Sequence, residues 1–389
     1  MAKKKKEAAA GKMSMKDIRG MINKHAGKEV AYDMRDPENP SNVIRWISTG
    51  SRWLDSIIAS DRMGGIPVGR ISELAGLESS GKSYMAVQIA INAQAMGMDV
   101  VYFDSESAMS TDFCADAGID FDKFIYLQAT SLEFVFEITE QILAQSETPT
   151  LFILDSLANC PTKGEIEDGN YNPKSDISPL ARVSSKGMKK LVVPIANHRS
   201  ALLVLNQLKT NINVANPMMM RVEPWYTPGG KAVTYSYSLR IWLTRRKGKN
   251  HIVLDENEFR VGSHMKCKLE KNRFGCEGRE CELKINWGGD GVFLHDEKSW
   301  LEAIKSSPHY SGGAWKTITM EDGSEKKVQE SGWVDKLRSD ADFRQRVLDI
   351  MDEELIHKFA RREGNAKDYY DIDGEDRNED VKPNPVQEG

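Results

Sequence analysis

The sequence predicts an α/β fold, a mostly parallel sheet covered by helices and extended by antiparallel strands, on three observations. From Arg70 to Leu205 short continuous apolar runs alternate with helix-period segments, the pattern of a parallel sheet buried on both faces. After Lys231 the pattern changes to period-two alternation, as antiparallel strands show. Between an apolar strand and an apolar-periodic helix, Gly76-Leu77-Glu78-Ser79-Ser80-Gly81-Lys82-Ser83 fits G-x-x-x-x-G-K-[ST] without mismatch.

In chain order, Ser14 is placed to cap a helix running to about His25, with Ile18, Met21 and Ile22 on one face. Asp36–Asn42 is turn chemistry and reads as a linker, and the compact part begins near Val43. Strands are expected at Arg70–Ala75, Asp99–Phe103, Thr150–Leu154 and Ala201–Leu205, and helices at Lys82–Met96, Leu132–Gln145 and Pro179–Ala196. Antiparallel strands are expected at Tyr235–Thr244, Phe259–Lys271 and Cys281–Trp287. The stretch from Asp296 to Arg362 carries Trp300, Trp315 and Trp333 and ends in a helix at Asp340–Phe359, long enough for a small α+β domain. The expected organisation is therefore 1–42 basic tail, helix and linker; 43–295 core; 296–362 small C-terminal domain; 363–389 acidic tail.

Composition bounds the function. The chain has 389 residues, two-fifths of them apolar, so a sizeable core can be buried. No run of eighteen apolar residues occurs, so no membrane-spanning helix is expected. MAKKKKEAAAGK is basic but has no apolar segment behind it, unlike a secretory signal. Five cysteines point to reduced thiols and a cytoplasmic location. His264, Cys267, Cys276 and Cys281 have spacing too loose for a zinc site and read as ordinary residues. Net charge is −5, and Asn365–Gly389 alone holds eight acidic against three basic side chains. The tail carries the whole deficit, so the body's neutral total does not exclude a nucleic-acid partner.

The glycine motif carries chemistry. Its glycines let backbone N–H groups curl toward phosphate oxygens, and the helix N-terminus adds partial positive charge. Lys82 would reach the β and γ phosphates and Ser83 would ligate Mg²⁺. Asp155, closing TLFILD, suits the second acidic position, holding Mg²⁺ directly or through water. Hydrolysis also needs a group to orient water. Asp104-Ser105-Glu106 ends the DVVYF strand at the ligand crevice, with Glu106 the first candidate base and Asp104 the second.

These residues resemble the RecA family of homologous-recombination ATPases. Ile47-Ser48-Thr49-Gly50-Ser51 with Leu54-Asp55, Gly65–Arg70, Glu78–Ser83, Phe103–Ala108, Leu154-Asp155-Ser156, Asn206-Gln207 and Pro228–Ala232 each resemble a family motif, over about Ile22 to Gly291. The resemblance implies a P-loop NTPase core, ATP and Mg²⁺ as ligands, and Gly76, Glu78, Ser79, Ser80, Gly81, Lys82 and Ser83 around the phosphates. It gives Glu106 the role of catalytic base, Gln207 that of γ-phosphate sensor, and Phe113 the place of an adenine-stacking Tyr. Beyond Asp296 the likeness shifts toward the phage UvsX-type recombinases, on the Trp315 region and a hairpin at Glu321–Glu325.

Two segments read as DNA loops, at about 165–178 and 208–228. The second is long and mixes Ile212, Met218, Met219, Met220, Trp225 and Tyr226 with polar residues, and bases offer stacking faces to such side chains. Lys209, Arg221 and Lys231 supply phosphate contacts. The resemblance places Ile212 at a base-step wedge, Lys209 at a phosphate contact, Gly229 and Gly230 at backbone contacts, and Arg182, Ser185 and Lys189 on a helix at further strand contacts. Lys271 and Arg273 resemble cations that reach ATP on the adjacent protomer, and the N-terminal helix resembles one that docks on a neighbour, giving a helical homo-oligomeric filament. The expectation is an ATP-dependent strand-exchange recombinase acting on single-stranded and homologous duplex DNA. It would be nucleoid-associated in a bacterial host cell and work with a single-strand binding protein and a loading mediator. Two alternatives are a RecA-core ring helicase or translocase, and a mediator that does not hydrolyse ATP.

Overall fold

A computed structural model describes residues 13–167, 179–211, 225–245, 252–254, 257–286 and 293–359. Helix α1, Met15–Ala26, starts at Ser14, whose hydroxyl accepts the Asp17 N–H while the Asp17 carboxylate reaches back to the Ser14 backbone, a complete capping box. It buries no side chain; Met15 and Met21 are exposed.

A short antiparallel pair, β1 (Trp46–Ile47) with β2 (Ile66–Pro67), flanks helix α2, Arg52–Ile58. The alternation then proceeds as β3 (Ile71–Gly76), α3 (Lys82–Ala95), β4 (Asp99–Asp104), α4 (Thr111–Ala117), β5 (Phe124–Gln128), α5 (Leu132–Gln145), β6 (Thr150–Asp155), α6 (Lys163–Glu167), α7 (Pro179–Asn197) and β7 (Ala201–Gln207). Strands β8 (Lys209–Thr210) and β9 (Trp225–Tyr226) pair with each other. After them come β10 (Leu239–Arg245), β11 (Ile252–Leu254), β12 (Arg260–Asn272), β13 (Glu280–Asn286) and β14 (Phe293–His295). The ten-stranded sheet has the order β14-β13-β12-β10-β3-β7-β6-β4-β5, with β11 also on β12.

From β10 to β5 all neighbours are parallel, and from β10 outward through β12, β13 and β14 all are antiparallel. Tyr235–Thr244 is therefore only partly the antiparallel strand expected. Residues 235–238 turn, and β10 runs parallel to β3 while antiparallel to β12. The period-two pattern reports a strand with alternating environments and carries no information on its partner's direction.

Apolar side chains alternate across the sheet as continuous runs demand. Val100, Tyr102, Leu151, Ile153, Leu203 and Leu205 face the layer with α3, whereas Val101, Phe103, Phe152, Leu154, Leu202 and Val204 face α5 and α7. The first layer continues without a break into Trp300, Ile318, Trp333, Phe343 and Ile350 of the C-terminal segment. That segment carries the three-stranded sheet β15 (Tyr310–Ser311), β16 (Trp315–Thr319) and β17 (Glu325–Gln329), whose β16–β17 hairpin turns through the expected Glu321–Ser324 region. Helix Ala341–Leu355 follows, capped by Asp340. Polar groups complete the junction. The Asp296 carboxylate accepts N–H groups of Arg52 and Trp53 and the Ser51 hydroxyl, capping α2 from far along the chain. Arg52 pairs with Asp352 at 2.7 Å. Cys267 and Cys281 face each other in register on β12 and β13, both buried, whereas Cys276 is exposed. No helix among the described residues is long and apolar enough to cross a membrane.

Candidate functional site

β3 and α3 hold the glycine motif where the sequence places it, and the loop is shaped by close approach. Ser79 and Gly81 take positive φ of 54° and 79°, and a Cβ on Gly76 would lie 2.2 Å from Ser80 Oγ. The first turn of α3 has no side-chain cap, and the buried Ser80 hydroxyl has no hydrogen-bond partner among the described residues. Uncapped N–H groups at a helix start fit a phosphate. Lys82 Nζ lies back over the loop, donating to the carbonyls of Gly76 at 3.3 Å and Leu77 at 3.0 Å. Burial lowers its pKa, against the opposing pull of Asp155, Glu106 and Glu78.

Ser83 and Asp155 meet: the hydroxyl donates to Oδ2 at 2.8 Å. Tyr102 donates to the same oxygen at 2.6 Å. Burial raises the Asp155 pKa, the Tyr102 and Ser83 hydrogen bonds pull it back, and the charges of Glu106 and Asp104 add to the rise. A hydroxyl beside a carboxylate is the hard-oxygen donor set that Mg²⁺ takes. Tyr102 was not legible as a site residue, because it sits in an apolar strand run where an aromatic reads as core.

The two carboxylates at the end of β4 separate by role. Asp104 accepts N–H groups from Glu106, Ser107, Ala108 and Met109 at 2.7 to 3.2 Å, and the Tyr126 hydroxyl at 3.2 Å. It is buried and fully engaged, so it anchors the turn. Glu106 stands out of that turn, exposed, with Oε1 accepting from Ser156 Oγ at 2.8 Å and Asn159 Nδ2 at 2.6 Å. Gln207 is in register with Gly76 on the neighbouring strand, which sets it beside the loop. The Phe113 ring, in the first turn of α4, packs 4.8 Å from that of Tyr84 on α3. Glu78 flanks the same loop.

The residues assigned to DNA divide into three groups. Arg182 and Lys189 are exposed on α7 with Ser185 half-buried between them. Gly230 abuts this helix: its Cβ would stand 3.0 Å from that of Ala181, and a Cβ on Gly229 would stand 3.0 Å from Leu157. With φ of 100° and 79°, these glycines form a turn that no other residue fits without strain, and exposed Lys231 follows it. Lys209 is exposed on β8 opposite Tyr226 on β9, so the second loop is closed at its base by a two-residue ladder. Ile212, Arg221 and Met218–Met220 lie outside the described residues. In the first loop Lys163–Glu167 is helical, with the Thr162 N–H and hydroxyl donating to Glu165, so only 168–178 fall outside description.

Lys271 lies level with mid-β3 and Arg273, just beyond β12, with its start. Lys271 is the register partner of Arg240, which is that of Glu73. Lys271 Nζ donates to the Thr234 carbonyl at 2.7 Å, and Arg273 Nη2 to that of Tyr235 at 2.9 Å. Burial lowers the Lys271 pKa, and the neighbouring Arg273 and Arg240 add to this.

Residues 13–292 match the model of the RecA N-terminal domain. Over 282 residues the chain is 33% identical to a curated relative from Ruminococcus albus with the name Protein RecA. The aligned stretch covers 72% of this chain and 66% of that protein, just under two thirds of its length.

Proposed function

The chain belongs to the RecA family, and on that premise we propose that it is an ATP-dependent DNA strand-exchange recombinase acting in recombination and repair. The observation that carries this reading is the meeting of Ser83 with Asp155 beneath the glycine loop, with Glu106 held a few residues away by Ser156 and Asn159. Ser83 and Asp155 would hold Mg²⁺, which when bound neutralises phosphate charge. Lys82 leaves its two carbonyl partners for the phosphates. Phe113, packed against Tyr84 in the first turn of α3, would stack on the base. Glu106, exposed and steadied through one oxygen, takes the proton of the attacking water.

Single-stranded DNA would follow the face made by Arg182, Ser185, Lys189, Lys209 and the Gly229-Gly230-Lys231 turn, with contacts to phosphate that read no sequence. Homology is then tested by base pairing with duplex DNA. Self-assembly is supported by two uncovered surfaces: α1, which buries nothing, and the open edge strand β5, where Ile125 and Tyr126 are exposed. In a head-to-tail filament Lys271 and Arg273 would complete the neighbour's site. We read 43–295 as the ATPase core and 296–362 as a C-terminal domain seated on it, and place the UvsX-type, phage-like character there, beyond the family match.

The test is ATP turnover with and without single-stranded DNA, paired with a D-loop assay. DNA-stimulated turnover with D-loop formation is expected. Closed rings in electron micrographs would favour the helicase reading, and DNA binding without turnover the mediator.

A further inference from the structure

A buried hydrogen-bonded ring outside the glycine loop ties the proposed machinery together. Glu73 lies mid-β3, its side chain wholly inaccessible, and its Oε2 accepts from Nε of Arg240 at 2.6 Å, the Arg240 side chain being 11% exposed. Its Oε1 accepts from the Asn206 amide at 3.0 Å. Arg240 continues through Nη2 to the Thr227 hydroxyl at 3.0 Å, and the Asn206 amide also donates to the Pro228 carbonyl at 3.0 Å. Asn206 Oδ1 accepts the Gln207 N–H at 2.9 Å. Strands β10, β3 and β7 are thereby bound to the two residues that precede Gly229. Arg240 also stands opposite Lys271.

A buried ion pair is weak evidence for stability, since well-packed apolar residues do as well. What it supplies is direction. The carboxylate has two oxygens and each is committed to a different strand, while the planar guanidinium fork fixes Thr227 relative to Glu73. A shift of the β3 end therefore moves Thr227 and Pro228 with it.

We propose that Glu73 and Arg240 are positioning residues that couple the nucleotide loop to the end of the second DNA loop. This rests on the recombinase reading above. The measurement is the coupling ratio: the Kd for a fluorescent oligo-dT without nucleotide over that with ATPγS and Mg²⁺. Arg240→Lys keeps the charge beside Glu73 but loses the second arm to Thr227, and Thr227→Val removes the acceptor at a half-buried position. Each is expected to lower the ratio by about two- to thirty-fold. The effect of oligo-dT on ATPγS affinity should fall by the same factor, as linkage requires. ATPγS affinity of Arg240→Lys without DNA should be unchanged. If Arg240→Lys does not fold, Thr227→Val carries the test. Variants that lose thermal stability, or weaken both affinities, with the ratio intact would overturn the proposal by showing a merely structural role. A wild-type ratio of one would instead overturn the recombinase reading on which it rests.

Discussion

Ser83 donates its hydroxyl hydrogen to Asp155 across 2.8 Å, joining two residues 72 positions apart at the point where β3, α3 and β6 converge. With Lys82 one residue earlier, the pair forms the proposed site for a metal-bound triphosphate. Lys82→Ala should lower ATP turnover on the order of 100- to 1000-fold, the scale for removing a charge-stabilising group. Ser83→Ala should shift half-saturation to higher Mg²⁺ while sparing ATP binding at excess metal. Steady-state ATPase assays over a Mg²⁺ series check both, and normal turnover by Lys82→Ala would sink the site assignment.

Glu106 and Asp104 should behave oppositely despite their proximity. Glu106→Gln is expected to bind ATP normally and hydrolyse it roughly 100- to 10000-fold more slowly, the range of a general base, so DNA-bound filaments persist. Asp104→Asn disrupts an acceptor of four backbone N–H groups and should lower the melting temperature, which Glu106→Gln should not. Nucleotide-binding titrations and thermal melts of the two proteins separate the roles.

The double variant Lys271→Ala, Arg273→Ala should retain nucleotide binding as a monomer and lose DNA-stimulated turnover, by up to roughly 1000-fold or more if the pair acts as an arginine finger does. Mixing it with Lys82→Ala should restore part of the activity, because the second protein lends intact cations to the first protein's intact loop. Two inactive preparations that stay inactive when mixed would contradict action in trans.

Asp55 should make stability depend on pH. Burial raises its carboxyl from the ordinary 3.8 to about 7; hydrogen bonds from Ser48 and Thr49 oppose the rise, and the Asp296 charge adds to it. The folded state then binds a proton that the unfolded chain has released, so this contribution is full below about pH 4 and lost as pH climbs through about 7. Thermal melts should show wild type losing stability relative to Asp55→Asn between pH 5 and pH 8. Parallel curves for the two proteins would refute the assignment.

Gly187 on α7 faces Phe136 on α5, and a Cβ there would lie 2.1 Å from the ring. Gly187→Ala should destabilise by about 1 to 3 kcal/mol through overpacking, despite its better helix propensity. Chemical denaturation measures it.

Much of this architecture was legible because it rests on local pattern. The apolar runs of β4, β6 and β7 declare strands buried on both faces, and the glycine motif declares the loop between β3 and α3. Ser14 marks a helix start through a hydroxyl three residues from the N–H it accepts. Elements with mixed exposure were missed: β5 is an edge strand whose apolar run Phe124-Ile125-Tyr126-Leu127 leaves Ile125 and Tyr126 open to solvent, so it shows neither the alternation of a half-buried strand nor the burial of a central one. Helix α2 escaped because its polar Asp55 and Ser56 are buried among Trp53, Leu54, Ile57 and Ile58, which erases an amphipathic stripe.

Short-range chemistry thus determined the fold class and the glycine loop between β3 and α3, and named Lys82, Ser83 and Asp155 as the residues to test there. The sequence ranks Glu106 ahead of Asp104 but does not show what engages each: Asp104 takes four N–H groups of residues 106–109, whereas the partners of Glu106, Ser156 and Asn159, were supplied by the tertiary structure. The same holds for Tyr102 on Asp155, for Asp296 capping α2, and for the ring of Glu73, Asn206, Arg240 and Thr227. Apart from the Arg240–Thr227 link, 13 positions apart, these are hydrogen bonds between residues dozens to hundreds of positions apart, and their direction depends on strand order and register, which propensity and periodicity do not encode.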